Sequence, residues 1–485
     1  MKAHYDLLVR GGRIATPDGL ASADIAVAGG RIERIDGWLV EPARETVDAA
    51  GKVVFPGIID SHVHFNEPGR TEWEGSATGS AALAAAGGAV FFDMPLNSLP
   101  PTIDAEGFAV KRAAIERSSR LDFALWGGLV PGNLEKLPGL AEAGAVGFKA
   151  FMCESGAAEF PPVDAAALKM GMARAASLGL PVAVHAEDDS LVRRRTEEAR
   201  ARGRDIRAWL SSRPIEVELS AIRTALELAG ETGCALHIVH VSSPEGADLA
   251  REARKRGVDV TVETCPHYLL LTDEDAVRLG APAKCCPSLR PEELRLGLWR
   301  RFEEGLIDTV GSDHSPAPPE LKQSEDFFAV WGGISGCQHG FPLVISEALA
   351  RGPEDRAWSR LASAMSAKVA ERFRLDDRKG RIAEGMDADF SIIDARSEHV
   401  LSNGELLYRH RQGPYGGRKS SVKIVQTFVR GRSIFSDGRI APDPGICHFL
   451  RPRSAVSPRS AAIENRAPAR TEAAAPQALD KPDHA

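Results

Sequence analysis

The stretch Asp60-Ser61-His62-Val63-His64 places two imidazoles two residues apart, directly after the apolar run 53–59. Side chains two apart on a strand share a face, so His62 and His64 can aim at one point. Neutral imidazoles converging at a strand end are metal-ligand chemistry. Two loop histidines with hydrogen bonds of their own would give the same letters. The metal reading therefore needs matching residues elsewhere in the chain.

They are found at the ends of other apolar runs. Lys149 closes Gly147-Phe148-Lys149, His185 closes Val182-Ala183-Val184-His185, His240 closes Ile238-Val239-His240, and Asp313 follows Val310-Gly311-Ser312. Four imidazoles, a carboxylate and an amine in equivalent places make a coherent donor set for a pair of divalent ions. Zinc heads the candidates, and cobalt, manganese and iron suit the same donors.

The amine needs its own argument. An ammonium beside a divalent ion is repelled by several kcal/mol even at an effective dielectric of ~20, and while charged it has no lone pair to give. A buried neutral amine can instead take up carbon dioxide. Lys149 is therefore read as a carbamate whose two oxygens bridge two ions; a core lysine paired with a carboxylate is the alternative. Ions ~3.5–4 Å apart would lower the pKa of a bound water toward ~7. Asp313, beside that water, is the expected proton acceptor and later the donor to a leaving nitrogen. The implied chemistry is hydrolysis of an amide or a related bond.

The residues nearby divide by strand periodicity. His237 lies three before His240 and faces the other side of the sheet, and His314 points away from its neighbour Asp313. His267 either supports the site or packs structurally, and His339 sits on a long loop where it could touch substrate.

Positioning these groups calls for strands that end at one rim. Candidate strands are 53–59, 89–93, 123–129, 146–151, 182–185, 235–240, 258–264 and 307–312, eight in all. Helical patterns at 76–86, 165–178, 215–232, 244–255 and 292–304 separate most of them. That alternation predicts a closed (β/α)8 TIM barrel, whose active sites gather where the strands end. The segment 311–343 reads as a long loop over the barrel mouth, with helices at 341–350 and 358–370 beyond it. Short β runs broken by Gly11-Gly12 and Gly29-Gly30 suggest hairpins, and similar runs return at 389–393 and 427–434. The expected organisation is a β-sandwich built from both ends (1–55 and 381–449), a barrel at 56–380, and a disordered tail at 450–485.

Bulk properties exclude other classes. Of 485 residues, 43% are hydrophobic and 26% charged, and the net charge is -7. An acidic surface argues against a nucleic-acid partner, and no apolar run reaches membrane-spanning length. Seven cysteines without zinc-ribbon or redox spacing, and no secretory leader, fit reduced thiols in a cytoplasmic protein.

Taken together, Asp60-Ser61-His62-Val63-His64, the strand-end lysine, the two later histidines and Ser312-Asp313-His314 resemble the amidohydrolase superfamily, and within it the cyclic amidases. The resemblance covers roughly 5–445. It implies that His62, His64 and Asp313 bind one ion and His185 and His240 the other, with carboxylated Lys149 between them. It also implies a homotetramer. Asn66 stands where dihydroorotases are expected to carry an arginine that grips a carboxylate, and Glu154 where hydantoinases place a tyrosine. The phrases His64-Phe65-Asn66-Glu67-Pro68-Gly69-Arg70-Thr71, Asp93-Met94-Pro95-Leu96-Asn97-Ser98, Phe148-Lys149-Ala150-Phe151-Met152-Cys153 and Trp331-Gly332-Gly333-Ile334-Ser335-Gly336-Cys337-Gln338 are most similar to allantoinases. That likeness implies a small neutral cyclic amide as substrate, allantoin before hydantoins or dihydropyrimidines. Asn66, Asn97, Cys286, Ser288, Gly333 and Gln338 are its expected contacts. A non-catalytic, assembly-forming relative should have lost ligands, whereas all six positions are kept here.

Overall fold

A computed structural model describes residues 4–442 and 447–453. Eight parallel staves form the barrel: Ile58–Val63, Gly88–Asp93, Asp122–Leu125 continued by Gly127–Gly128, Phe148–Phe151, Val182–His185, Leu236–Ile238, Val260–Thr264 and Thr309–Val310. The ring closes where His64 N–H donates to His314 O at 2.8 Å, next to a parallel bridge between Val63 and His314. The staves are buried on both faces, as a parallel sheet covered by helices requires.

The first stave departs from the sequence reading. The apolar run 53–59 serves two sheets. Val53–Pro56 pairs with Tyr5–Thr16 and Phe390–Asp394 of the β unit, and only Ile58–Val63 enters the barrel. Gly57 makes the crossing. A Cβ there would meet Ala89 Cβ at 2.5 Å, so the two layers approach too closely for any side chain. His62 consequently lies within the stave, and His64 just past it.

Helices follow the staves, and several begin on a side-chain cap. Asp104, Asp164, Asp188, Asp205 and Ser243 each accept a backbone N–H of the following first turn. The helices Ile215–Thr232 and Pro244–Lys255 match the sequence expectation residue for residue. The long mouth loop is shorter than expected, because the helix Cys337–Arg351 starts six residues before position 343 despite its internal Pro342.

Both chain ends build one nine-stranded sheet. Leu7, Val9, Ile25 and Val27 from one end pack with Phe390, Ile392 and Phe428 from the other, in a core separate from the barrel's. Gly29-Gly30 turns a hairpin, with both residues at positive φ. Gly11-Gly12 does not; it lies inside the strand Tyr5–Thr16, at a register shift. Leu450, at the start of the segment expected to be disordered, is buried and donates its N–H to Phe123 O at 2.7 Å. The rest of that segment, from 454 on, lies outside the described residues.

The sheet unit is tied to the barrel floor by charge. Lys379 Nζ, fully buried, reaches Asp122 at 2.7 Å, Asp387 at 2.9 Å and Asp389 at 2.6 Å. Burial opposes its charge, but the three carboxylates outweigh that and keep it protonated. Lys379→Met removes the cation shared by the three carboxylates, of which Asp122 keeps Arg430 and Asp387 keeps Arg378, and should cost about 3 kcal/mol, chiefly through Asp389. Urea unfolding measures this, and a loss below about 1 kcal/mol would contradict the role assigned to the lysine.

Candidate metal centre

The stave ends bring four imidazoles into one chain of contacts. Ring centroids lie 5.5 Å apart for His64 and His62, 5.5 Å for His62 and His240, and 4.6 Å for His240 and His185. Asp313 Oδ1 stands 3.3 Å from His62 Nε2 and 3.4 Å from His64 Nε2. His185 Nδ1 faces His240 Nε2 at 3.0 Å. All four rings are buried. Burial, the largest influence, holds His64 neutral with its pKa down to about 4, and lowers His185 and His240 as well. Buried imidazoles with nitrogens turned toward each other and toward a carboxylate are donors in need of a cation.

Lys149 fits the same reading. It is fully buried, and its Nζ has no hydrogen-bond partner among the described residues. Burial lowers its pKa to about 8. A buried polar atom without a partner is rare, and an amine whose charge burial disfavours suits carboxylation. Asp313 is held the other way. Burial would raise its carboxyl, but His62 and His64 keep it well below the usual range. The donor set therefore fits a pair of divalent ions. Its grouping is clearest for His62, His64 and Asp313, whose ligand atoms lie within 4.8 Å of one another.

Carboxylates behind the ring fix which nitrogen His62 and His185 present. Glu263 Oε1 is 2.8 Å from His62 Nδ1, and its Oε2 accepts from Ser61 Oγ at 2.5 Å. Glu187 Oε2 is 2.7 Å from His185 Nε2 and accepts from Arg213 Nη1 at 2.6 Å. Asp60 Oδ1 accepts from Ser312 N at 2.8 Å and so anchors the turn that carries Asp313. Sequence reasoning assigned none of these. The only available hint was Glu187, two residues after His185 and just past the strand. Glu263→Gln should lower metal affinity and kcat/KM by about 10–100-fold, as loss of a ligand-orienting carboxylate does elsewhere. Metal titration together with steady-state rates checks this, and wild-type values for both would contradict it.

Backbone strain gathers here too. Asn66, Asn97, His240 and Asp313 hold φ of 62°, 66°, 43° and 44°, a region that costs a non-glycine residue about 1–3 kcal/mol.

A cavity of about 300 Å³ opens over the cluster, large enough for one small ring compound. Asn97, Cys286 and Gly333 line it, together with His62, His64, His185, His240 and Asp313. The other expected contacts lie elsewhere. Asn66 is buried beneath the rim and donates to Pro316 O at 3.3 Å. Ser288 Oγ donates to Arg213 O at 3.2 Å. Gln338 pins a neighbouring segment, donating to Glu405 O at 3.0 Å and accepting from Leu407 N at 2.8 Å. His339 lies with Gln338 on a different cavity. His314 Nδ1 accepts from Gly336 N at 3.1 Å and faces away as expected, but His237 does not: its Nε2 lies 3.4 Å from Glu263 Oε2 and its ring stacks on Trp126, because the strand ends at Ile238 and the left-handed backbone at His240 breaks the alternation between the two. His267 is buried, and neither ring nitrogen has a partner among the described residues.

The mouth loop is fastened by two lysines that the sequence did not single out. Lys284 Nζ donates to Phe327 O at 2.6 Å and Val330 O at 2.5 Å, and Lys322 Nζ to Gly333 O at 2.6 Å. They hold Val330, Trp331 and Gly333 against the cavity.

Comparison with known proteins agrees with this geometry. The amidohydrolase family pattern matches residues 53–434. The chain belongs to the amidohydrolase family. It is 50% identical over 456 residues to an allantoinase of Rubrobacter xylanophilus, covering 93% of this chain and 98% of that protein. It is 40% identical to an allantoinase of Escherichia coli, over 89% of this chain and 95% of that one. Among solved structures, the L-hydantoinase (dihydropyrimidinase) of Arthrobacter aurescens superposes with a TM-score of 0.89 at 33% identity, covering 92% of this chain and 100% of that one. A TIM-barrel hydrolase of cyclic amide C–N bonds with an attached sheet unit is thereby established.

Proposed function

We infer that this protein opens the hydantoin ring of allantoin to give allantoate. The observation that carries the substrate is the 40–50% identity to allantoinases over most of the chain. The cavity chemistry is compatible with it. Arg213 is neutralised by Glu187 and Lys284 is committed to backbone carbonyls, so among the described residues the mouth offers no spare cationic clamp for an acidic ring such as dihydroorotate.

His62, His64 and Asp313 would hold one divalent ion, His185 and His240 the other, and carboxylated Lys149 would bridge them. When bound, the pair polarises a carbonyl and acidifies water. Asp313 takes a proton from the attacking water at its carboxylate. As the ring C–N bond breaks, Asp313 returns that proton to the departing nitrogen. Glu263 and Glu187 keep His62 and His185 in the required tautomers throughout. Zinc as the ion and a homotetramer as the assembly complete the proposal. A cytoplasmic setting accords with all seven thiols being free, and no helix among the described residues is long and apolar enough to cross a membrane.

Likeness to solved hydantoinases favours one second reading, a hydantoinase or dihydropyrimidinase using the same machinery. Measuring kcat/KM for allantoin, hydantoin, dihydrouracil and dihydroorotate separates the two. Allantoin should rank first, and allantoin ranking last would overturn the choice.

A further inference from the structure

Away from the catalytic mouth, a cavity of about 130 Å³ lies where the helix Glu292–Glu303, the end of the helix Cys337–Arg351 and the helix Glu354–Ala362 meet. Arg351, Arg356 and Arg360 line it. Each guanidinium is fastened along one edge. Arg351 pairs with Glu347 at 2.8 Å and stacks on Trp299, 4.7 Å from the ring centre. Arg356 Nη2 donates to Glu303 O at 3.3 Å. Arg360 donates from Nε to Phe302 O at 2.6 Å and from Nη2 to Ile307 O, and its guanidinium lies over the Phe302 ring. The Nη1 of all three has no partner among the described residues. In Arg351 and Arg360 that nitrogen is open to solvent, and Arg356 is exposed, so a ligand can reach them.

Arg356 and Arg360 are four residues apart on one helix and share a face. They hold the consecutive carbonyls 303 and 302, which brings their guanidiniums side by side. Neither forms an ion pair with a carboxylate of the described residues. Asp308, whose field reaches Arg360, is paired with Arg254, and Glu354 is paired with Arg13 at 2.6 Å. Glu303, also in the wall, pairs with neither arginine. Burial lowers the pKa of Arg360 to about 10. Neighbouring like charges repel, and partly buried ones are ordinarily paired. This pair lacks an anion.

We propose that Arg351, Arg356 and Arg360 form a binding site for a small oxyanion, a carboxylate or phosphate group, separate from the catalytic cavity. A guanidinium presents a planar fork that matches the oxygens of either group. The volume is below that of a whole-ligand pocket and admits a single small ion. A bound ion joins the ends of three helices and stabilises the folded chain by mass action. The inference does not depend on which ring the enzyme opens.

Thermal unfolding of the metal-loaded protein tests it, with sodium sulfate and sodium acetate titrated against sodium chloride at matched ionic strength. Sulfate stands for the phosphate class and acetate for the carboxylate class, and the ion that acts assigns the class. At least one should raise the wild-type Tm above its chloride value by about 2 °C or more, saturating in the millimolar range. R356Q should raise the half-saturating concentration about tenfold, the worth of one charge-assisted hydrogen bond, and R356E should abolish the rise. R360M also gives up two carbonyl contacts, so each variant is compared with itself in chloride, which keeps a lower starting stability from masking the result. Arginines that serve only as caps on helix carbonyls predict no dependence on the ion. Identical Tm values in the three salts for the wild type, or an undiminished rise in R356E, would overturn the inference.

Discussion

Lys149→Ala should reduce ring opening by about 10³-fold or more, the scale lost when one member of a cooperating catalytic set is removed. The side chain is fully buried and its Nζ is unpartnered among the described residues, so alanine disturbs no hydrogen bond. It leaves a small gap beside Phe151, whose ring centroid lies 4.8 Å from Nζ. The loss is therefore a chemical one, distinct from unfolding. A short-chain carboxylate added to the assay should occupy that gap, supply two oxygens and restore part of the rate. Undiminished turnover without added acid would show that Lys149 bridges nothing.

Asp313→Asn should cost about 10²–10⁴-fold in kcat, the usual worth of a positioned general acid–base. Asparagine is the replacement that isolates the chemistry. It tolerates the left-handed backbone at φ 44° and keeps the side chain's shape. What it loses is the negative charge that His62 and His64 stabilise. Thermal unfolding should match the wild type while kcat falls. A loss smaller than about tenfold would assign proton transfer to another group.

Much of this was legible in the sequence, for definite physical reasons. Barrel staves are short apolar runs, and their polar ends stand out against them. That is why His62, His64, Lys149, His185, His240 and Asp313 could be picked out before any geometry was available. The first stave misled because the apolar letters of 53–59 do not reveal that Gly57 passes from one sheet to another. Glu263 was invisible for the opposite reason: an acidic residue inside an apolar run has no meaning until the fold places it 2.8 Å from His62 Nδ1. Gln338 and His339 were assigned to a mouth loop because Pro and Gly nearby suggest irregular chain. The helix Cys337–Arg351 instead turns Gln338 and His339 toward a different cavity.

The claim on which the rest depends is that the imidazoles, Asp313 and Lys149 hold a pair of cations. Metal analysis of the natively purified protein tests it most directly. Two divalent ions per chain are expected, with a marked reduction in Lys149→Ala. A fully active wild-type protein that carries none would contradict the account.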